Sequence, residues 1–529
     1  MMTHAVLMAR IAKIGLTGSV LSLSMLVAGC ATDSLDLAPA SYTEPWKADA
    51  NAPIGSGNFS VPANPLVAEL APPPSIKSEH TYSLPELIDI AQSQNPDTRI
   101  AWQQARQAAL AVGMGEAIFL PIISASVIGG YQRTTTPLPY AIGNEKDLKT
   151  SGSAVVPALA LQWLIFDFGQ RSALLDAAKQ TSYAANVTFN GMHQKLIYDV
   201  TRTYFQYGAA QTQRQIAEQT LKNSLKIQDA AEERRKNGIA TTVEVALARQ
   251  QVAQSELRRV VAKGTERDAY QALLGAMGVS PSLDIKVAYA EDRALPDGMS
   301  APTEQMIRLA LSQRPDVLAS YAAVEAAKAG IKATEADFLP KVYLAGAVAS
   351  GDGHFDIQGL PGISPQTSSS SILVGVSVPL YDGGIRAARV KEAESRAAVA
   401  AEGFKKTQEL AVREIVVAAD TLRSALEANQ AALTLVKTSF ITYDAALESY
   451  RNGVGTITVA NEAANGLLNA QQMSTDAHAA SLVAAANLAF VMGKMTNTSE
   501  SLALLHLINR PLIESNTDYN QKYIIMLVK

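Results

Sequence analysis

The stretch that decides the fold is residues 415–450, IVVAADTLRSALEANQAALTLVKTSFITYDAALESY. Apolar or near-apolar side chains recur in it at alternating intervals of four and three residues. They are Ile415, Ala419, Leu422, Leu426, Asn429, Leu433, Val436, Phe440, Tyr443, Leu447 and Tyr450. Intervals that alternate in this way form the seam of a coiled coil.

The helix that carries this seam extends well beyond it. Residues 380–510 contain no proline, and we predict one uninterrupted helix over residues 384–450. At 1.5 Å per residue, this helix is roughly 100 Å long. Asn452 and Gly453 end it, and residues 456–492 form a second helix, so the prediction is a long helical hairpin.

The chain contains this hairpin twice, because the proline-free residues 158–280 repeat its landmarks. The matching motifs keep their order and lie 215 to 219 residues apart, which indicates an internal duplication. The pairs are SQNPD at 93–97 with SQRPD at 312–316, FLP at 119–121 with FLP at 338–340, FDFG at 166–169 with YDGG at 381–384, and NGIAT at 237–241 with NGVGT at 452–456.

Composition narrows the class of function. The chain has 529 residues, 48% of them hydrophobic but only 6% aromatic, and its net charge of -4 gives no basic surface for nucleic acid. Its single cysteine excludes an internal disulfide. The glycine pairs lack the Gly-Lys-Ser/Thr of a phosphate-binding loop, and the six histidines are scattered. We therefore expect no catalytic residues, no metal and no cofactor.

The N-terminus has the features of a secretory signal peptide, which we assign to residues 1–29. Basic Arg10 and Lys13 precede an apolar run, and LVAGC at 26–30 resembles the bacterial lipobox. The only cysteine, Cys30, is thus the predicted lipidation site, a palmitate-bearing anchor; ordinary cleavage near Ala28 or Ala31 is the alternative. Residues 30–80 are rich in Pro, Ala, Asn and Ser and are predicted to be an extended segment.

Each half also carries two predicted strands of about ten residues, which is the length of a tilted strand that crosses a bilayer. The strand pairs are assigned to residues 118–168 and 338–382, with Gly/Ser/Thr/Pro-rich loops at 134–152 and 351–371. A soluble two-sided sheet also fits the strands alone. Four strands cannot close a membrane barrel, so the chain must form oligomers if these strands span the membrane. Three copies would supply twelve strands, enough for a closed barrel.

Taken in order, these motifs identify the chain as similar to the TolC-like outer-membrane efflux and secretion channels over residues 82–492. The resemblance implies an α+β membrane protein: a homotrimer with a twelve-stranded β-barrel, four strands per protomer, continued by a long periplasmic α-helical barrel. The lipobox is like that of the lipid-anchored members of this family.

Three domain assignments follow from this resemblance. The first structural repeat is residues 81–302, with its hairpin at 169–278, and the second is residues 303–493, with its hairpin at 383–492. Residues 494–529 form a tail in the equatorial region. The implied location is the outer membrane of a Gram-negative bacterium, with the protein anchored in outer-membrane lipid and projecting into the periplasm. The implied partners are a periplasmic adaptor and an inner-membrane pump of the RND or ABC type.

Two sites follow from the same resemblance. In the family, the hairpin tips with the sequence Val-Gly-Thr contact the periplasmic adaptor. The adaptor-contact candidates here are therefore Gly238, Ala240, Thr241, Gly453, Val454, Gly455 and Thr456. The family's periplasmic gate lies just after the second tip, which makes Asn461, Glu462 and Asn465 the candidate gate. Asparagines stand where well-known members have aspartates, so strong cation binding is not implied. The alternative for the tip residues is a role in turn formation alone. The alternative for the gate residues is a polar surface of the helix.

The predicted function is passive conduction of substrate delivered by the pump, in a tripartite efflux or type I secretion system. The main alternative is a periplasmic coiled-coil lipoprotein without a pore, which explains the helices and Cys30 but not the paired strands in both halves. An enzyme is the third possibility, and no arrangement of a nucleophile and a base supports it.

Overall fold

A computed structural model describes residues 38–39, 41–43, 59, 64–68, 79–142, 145–289, 295–296, 298–358 and 360–495. The chain divides into two units, residues 1–73 and residues 74–529. In the first unit, the described residues include one 3-10 turn, Pro65–Val67, capped by the side chain of Asn64. The predicted signal peptide, Cys30 and the tail beyond residue 495 lie outside the described residues.

The second unit contains eight helices and six strands among its described residues. The helices are α1 Leu84–Gln94, α2 Pro96–Ala117, α3 Gln170–Lys236, α4 Thr242–Met277, α5 Glu304–Gln313, α6 Pro315–Ala336, α7 Ile385–Arg451 and α8 Ile457–Val491. The strands are β1 Thr81–Tyr82, β2 Ile122–Ile142, β3 Glu145–Phe166, β4 Lys286–Val287, β5 Lys341–Ile357 and β6 Gln366–Ser377.

The two halves repeat one another element by element. Helices α3 and α7 each have 67 residues, and α4 and α8 have 36 and 35. Each long helix starts directly after a glycine with φ of 92°, Gly169 or Gly384, a conformation that favours glycine over residues with a Cβ. Helix α7 begins and ends one residue from the sequence-based expectation.

The predicted seam on α7 is only partly buried in this protomer. Ile415, Leu422 and Leu426 are buried, but Leu433 and Phe440 are more than half exposed, and the buried position moves to Ala432. The physical reason is the mismatch between 3.6 residues per turn and a 3.5-residue repeat, which rotates the seam by about 20° per heptad in a straight helix. Within one protomer, the predicted seam is therefore buried at Ile415, Leu422 and Leu426 and exposed at Leu433 and Phe440.

Strands β2, β3, β5 and β6 form one antiparallel sheet in that order. Both predicted loops are largely strand, because β2 and β3 pair from Ile122 with Gln162 up to Ile142 with Glu145, and β5 continues to Ile357. The segment between β5 and β6 starts only at residue 358, where 351 was expected. Threonine has a high β-propensity, and backbone pairing with the neighbouring strand tolerates small side chains, so the turn-like composition misled the prediction.

The core consists of three clusters of buried side chains. One packs α1 against α3, α4 and α8 around Leu87, Val200 and Leu274, beside the small parallel pair β1 and β4. A second joins α7 to α8 around Leu422 and Leu488. The third lies near the ends of both hairpins and draws on all four long helices.

None of the helices in the described part of the chain is both long and apolar enough to cross a membrane.

Candidate functional site

The two faces of the four-stranded sheet differ in side-chain size. Successive residues of a strand point to opposite faces, so the register assigns each side chain to one face. One face, here called the apolar face, carries large apolar side chains in register on all four strands. They include Ile123 and Val127 on β2, Leu159, Leu161, Trp163 and Ile165 on β3, Leu344 and Val348 on β5, and Ile372, Val374 and Val376 on β6.

The opposite face, here called the small-residue face, carries mainly alanine, glycine and serine. Examples are Ser124 and Ser126 on β2, Ala158 and Ala160 on β3, Ala345, Ala347 and Ala349 on β5, and Ser369 and Ser371 on β6. Its larger aliphatic members are Ile122, Ile128, Val156, Leu164 and Leu373. This asymmetry suits a sheet with hydrocarbon on one side and a water-filled space on the other.

The height of the apolar face fits a bilayer. On β3 it runs from Val155 to Ile165, ten steps that cover about 33 Å along the strand. A tilt of about 45° reduces this to a band roughly 25 Å tall, the height of the apolar band on outer-membrane barrels. Beyond it, the same face carries Ser153 and Ser151 on β3, and the charged Asp352 of β5 pairs with Val155 at the edge of the band.

Arg171 fastens the junction between β3 and α3. It is buried, and its Nε donates to Oδ2 of Asp167 at 2.8 Å. Its guanidinium lies 4.7 Å from the ring centroid of Phe119, three residues before β2. The two remaining nitrogens donate to the backbone carbonyl oxygens of Leu164, Ile118 and Ile165, at 2.6, 3.2 and 3.2 Å.

Arg386 repeats this arrangement between β6 and α7. Its Nε donates to Oδ2 of Asp382 at 2.7 Å, its Nη1 to the carbonyl oxygen of Pro379 at 3.0 Å, and it lies 5.4 Å from the ring of Phe338. Both junctions thus hold a long helix rigidly to the end of a strand.

The first tip, residues 237–241, joins α3 to α4. Gly238 has φ of 75°, and the backbone N–H of Ala240 donates to the carbonyl oxygen of Arg234 at 3.3 Å. Thr241 caps α4: its Oγ1 accepts from the N–H of Glu244, whose carboxylate accepts from the N–H of Thr241. This is a capping box, which stabilises the start of a helix.

The second tip, residues 452–456, joins α7 to α8. Gly453 has φ of 83°, and Thr456 caps α8 through its side chain. Gly455 lies so close to the preceding turn that a Cβ there would come within 3.0 Å of the backbone of Ser449 and Tyr450. The predicted turn chemistry of both tips is therefore present.

Each tip also exposes one aliphatic side chain. Val454 is 84% exposed and Ile239 is 63% exposed. Covering an exposed aliphatic side chain removes apolar surface from water, which is favourable.

The two tips are fixed to each other. Tyr450, at the end of α7, is fully buried, and the guanidinium of Arg234 on α3 lies 4.8 Å from its ring centroid. Burial raises the pKa of the Tyr450 hydroxyl, as does the charge of Glu244, while Arg234 acts in the opposite direction. Around them the third core cluster packs Ile227, Val245 and Ile457, so the hairpin ends form a four-helix bundle.

The candidate gate residues have different surroundings. Asn465 faces the first hairpin: its Oδ1 accepts from Nε2 of Gln251 at 2.9 Å and from Nη1 of Arg258 at 2.8 Å. Glu462 is exposed, and Asn461 is half-buried, with an Oδ1 that has no hydrogen-bond partner among the described residues. The three side chains therefore do not share one environment.

Sequence reasoning missed Gln251, Arg258 and Arg234. Their partners lie more than 200 residues away, and no short motif surrounds them. Two hairpins that repeat one another are expected to pack together, but which polar side chains meet depends on helix rotation, which the sequence does not specify. In the described part of the chain, no group of three or more His, Cys, Asp and Glu side chains could hold a metal ion.

Comparison with known structures supports the fold. A membrane protein of Pseudomonas aeruginosa has a TM-score of 0.67 with this chain at 23% identity, covering 78% of this chain and 93% of the other. A crystal structure of CusC has a TM-score of 0.65 with this chain at 20% identity, covering 82% of this chain and 98% of the other.

Comparison with known sequences identifies the family. Protein CyaE of Bordetella pertussis is 26% identical over 424 residues, 78% of this chain and 84% of its own length. Outer membrane protein OprJ of Pseudomonas aeruginosa is 26% identical over 346 residues, 64% of this chain and 70% of its own length. The profile of the family described as outer membrane efflux protein matches residues 87–279 and 306–494, one match in each half. The chain therefore belongs to the outer membrane efflux protein family.

Proposed function

We propose that this protein is the outer-membrane channel of a tripartite efflux or type I secretion system, through which substrate passes without chemistry. The observation that carries the proposal is the sheet with one apolar and one small-residue face, continued at the same end by two long helical hairpins. Family membership favours this function over a periplasmic spacer without a pore.

The functional unit in this proposal is a trimer. Within the described chain, β2 and β6 are the outer strands of the sheet, each with one neighbour. Unpaired backbone N–H and C=O groups are costly in hydrocarbon, so β6 of one copy would pair with β2 of the next. Three copies close twelve strands, and six hairpins continue as a helical tube in the periplasm.

Cys30 is the proposed acylation site at the outer membrane. The lipobox residues before it and its status as the only cysteine support this assignment. Cys30→Ser should abolish the incorporation of labelled fatty acid, and label retained in that variant would contradict the assignment.

The two tips are the proposed docking site for the adaptor. Exposed Ile239 and Val454 supply the apolar contact, and the glycines Gly238 and Gly453 keep each turn short. Ala240, Thr241, Gly455 and Thr456 complete this surface.

Asn461, Glu462 and Asn465 are the proposed periplasmic gate, with Gln251 and Arg258 added. Because Asn465 binds two side chains of the first hairpin, any outward movement of α8 from α4 must break those hydrogen bonds. In this proposal the contact holds the hairpin ends together when no substrate passes, and adaptor docking at the tips supplies the free energy to release it.

The decisive experiment is electron microscopy of the detergent-extracted protein, followed by planar-bilayer recording. We expect a three-fold particle, far longer than wide, with a detergent belt at one end, and discrete conductance steps. A monomeric rod without a belt and without conductance would overturn the channel and favour the structural spacer.

A further inference from the structure

Two aromatic side chains of β5 lie flat on glycines of neighbouring strands. Tyr343 pairs in register with Gly375 of β6, and Phe355 with Gly152 of β3. A Cβ on Gly375 would lie 2.2 Å from Cζ of Tyr343, and a Cβ on Gly152 would lie 2.6 Å from Cδ1 of Phe355. Non-bonded carbon atoms at these distances would overlap, so only glycine permits these ring positions.

Both rings lie on the small-residue face, one at each end of a segment of β5 that carries only small side chains there. Between Tyr343 and Phe355, β5 presents on that face only residues no larger than alanine: Ala345, Ala347, Ala349, Gly351 and Gly353. Twelve steps separate the rings, which is about 40 Å along the strand. Both rings are roughly four-tenths exposed, so one side of each contacts open space while the other covers the glycine.

We propose that Gly152 and Gly375 set the aperture of the channel at the two ends of its barrel, by letting Phe355 and Tyr343 lie against the wall. This inference rests on the proposed function, in which the small-residue face lines the lumen. In the proposed trimer, three copies of each ring lie at the same height along the barrel axis. A Cβ at the glycine would push the ring off the wall, and the free direction is toward the axis. The two glycines thereby determine the largest substrate that passes.

The first step of the test assigns the faces, with single cysteines in the full-length protein on intact cells. Ala347→Cys lies on the small-residue face and Val348→Cys beside it on the apolar face. Small and bulky hydrophilic maleimides are applied from outside, and labelling of the unsubstituted chain, with its single native cysteine, is the background. We expect Ala347→Cys to react and Val348→Cys not to react. No reaction at Ala347→Cys, or equal reaction at both, would overturn the proposed lumen itself.

The second step tests the aperture in the Ala347→Cys background. Gly152→Val should slow labelling by the bulky maleimide roughly fivefold or more and leave the small maleimide unchanged, because a narrowed mouth selects by size. Gly152→Ala should give an intermediate rate. Adding Phe355→Ala to Gly152→Val should restore the rate, and Phe355→Ala alone should change it less than about twofold, since the ring already lies flat.

The matched control is Gly346→Val, which adds the same volume on the apolar face of β5. A Cβ there meets Ser371 O at 3.6 Å, an ordinary contact. We expect Gly346→Val to label like the parent. Equal slowing of labelling by Gly346→Val and Gly152→Val, or strongly faster labelling in Phe355→Ala alone, would overturn the aperture proposal. Labelling of the Ala347→Cys parent would still support the channel itself, so the two failures are distinguishable.

Discussion

Nη1 of Arg234 donates to the backbone carbonyl oxygen of Tyr450 at 2.5 Å, and the guanidinium also covers that residue's ring. One side chain of the first hairpin thereby stabilises the last turn of the helix that leads into the second tip. The two tips are separated by about 215 residues of sequence but form one structural unit.

Arg234→Ala should loosen this unit locally. Loss of a cation–π contact and a charged hydrogen bond costs about 1–2 kcal/mol, which corresponds to roughly 5–30-fold faster amide exchange in the turn. Hydrogen exchange of residues 449–453 measures it. Tyr450→Phe is the control, because the Tyr450 hydroxyl is buried without a hydrogen-bond partner among the described residues. Amide exchange of residues 449–453 that is no faster in Arg234→Ala than in Tyr450→Phe would contradict a stabilising role of the Arg234 contact.

Gly455→Ala should impair transport while the trimer stays intact. Its Cβ would approach the backbone of Ser449 and Tyr450 to 3.0 Å, so the second tip must change shape. Gly466→Ala on α8, the helix that follows the tip, is the control: a Cβ there meets nothing within 4 Å, and alanine favours a helix by about 1 kcal/mol. Efflux in cells that depend on this protein, with trimer content measured alongside, distinguishes the two variants. Unchanged efflux in Gly455→Ala would argue against docking at the tip.

The two junction arginines provide a comparison within one chain. Arg171 pairs with Asp167, whose side chain is 6% exposed, whereas the partner of Arg386, Asp382, is 29% exposed. Arg171→Met leaves a buried carboxylate unpaired, which costs about 3–5 kcal/mol. Water can solvate Asp382, so Arg386→Met should be distinctly less harmful. Thermal unfolding of the two variants measures this order, and a larger loss for Arg386→Met would refute it.

Much of this architecture was predictable because it depends on local patterns. The uninterrupted periodicity before Asn452 and the glycines of both tips determine the two long helices and where they turn. The strand ends were not predictable, since pairing with a neighbouring strand continues β3 through polar residues such as Thr150 and Ser151. Leu433 and Phe440 show the same limit: apolar character is visible in sequence, but the partner that covers it is not.

The candidate site divides in the same way. The tips were recognised through the family resemblance, and their turn chemistry was predictable because glycine favours a positive φ and threonine is a favoured N-cap, both of which are local effects. The contact of Asn465 with Gln251 and Arg258 depends on the relative rotation of α4 and α8, a tertiary property. The flat rings of Phe355 and Tyr343 likewise depend on strand register, and the mistaken loop boundaries concealed the pairing of Phe355 with Gly152.

Acid should weaken the start of α1 through one carboxylate. Glu86 accepts from the backbone N–H and from the hydroxyl of Ser83, both at 2.7 Å, and these bonds, with His80, lower its pKa from 4.5 to about 2. A lowered pKa stabilises the folded state above the unfolded value, and this contribution is lost as the pH falls from 4.5 toward 2.

The variant that tests this is Glu86→Gln, with exposed Glu116→Gln on α2 as the control. Hydrogen exchange in α1 should depend less on pH between 4.5 and 2 in Glu86→Gln than in the parent. Glu116→Gln should keep the parent's dependence. An identical pH profile in Glu86→Gln would show that the capping box does not sense the protonation of this residue.

The contact at the proposed gate yields the last prediction. Arg258→Ala removes the charged donor to Asn465 Oδ1, and Asn465→Ala removes the acceptor, so either change should allow α8 to move from α4 more easily. We expect higher single-channel conductance for each variant, and for the pair Arg258→Ala with Asn465→Ala no more than the effect of Asn465→Ala, since that change already removes the bond to Arg258 together with the bond to Gln251. Arg259→Ala is the matched control, because this guanidinium binds Glu256 of its own helix, and its conductance should stay near the parent's. Additive increases in the pair, or an equal rise in Arg259→Ala, would place the constriction at other residues.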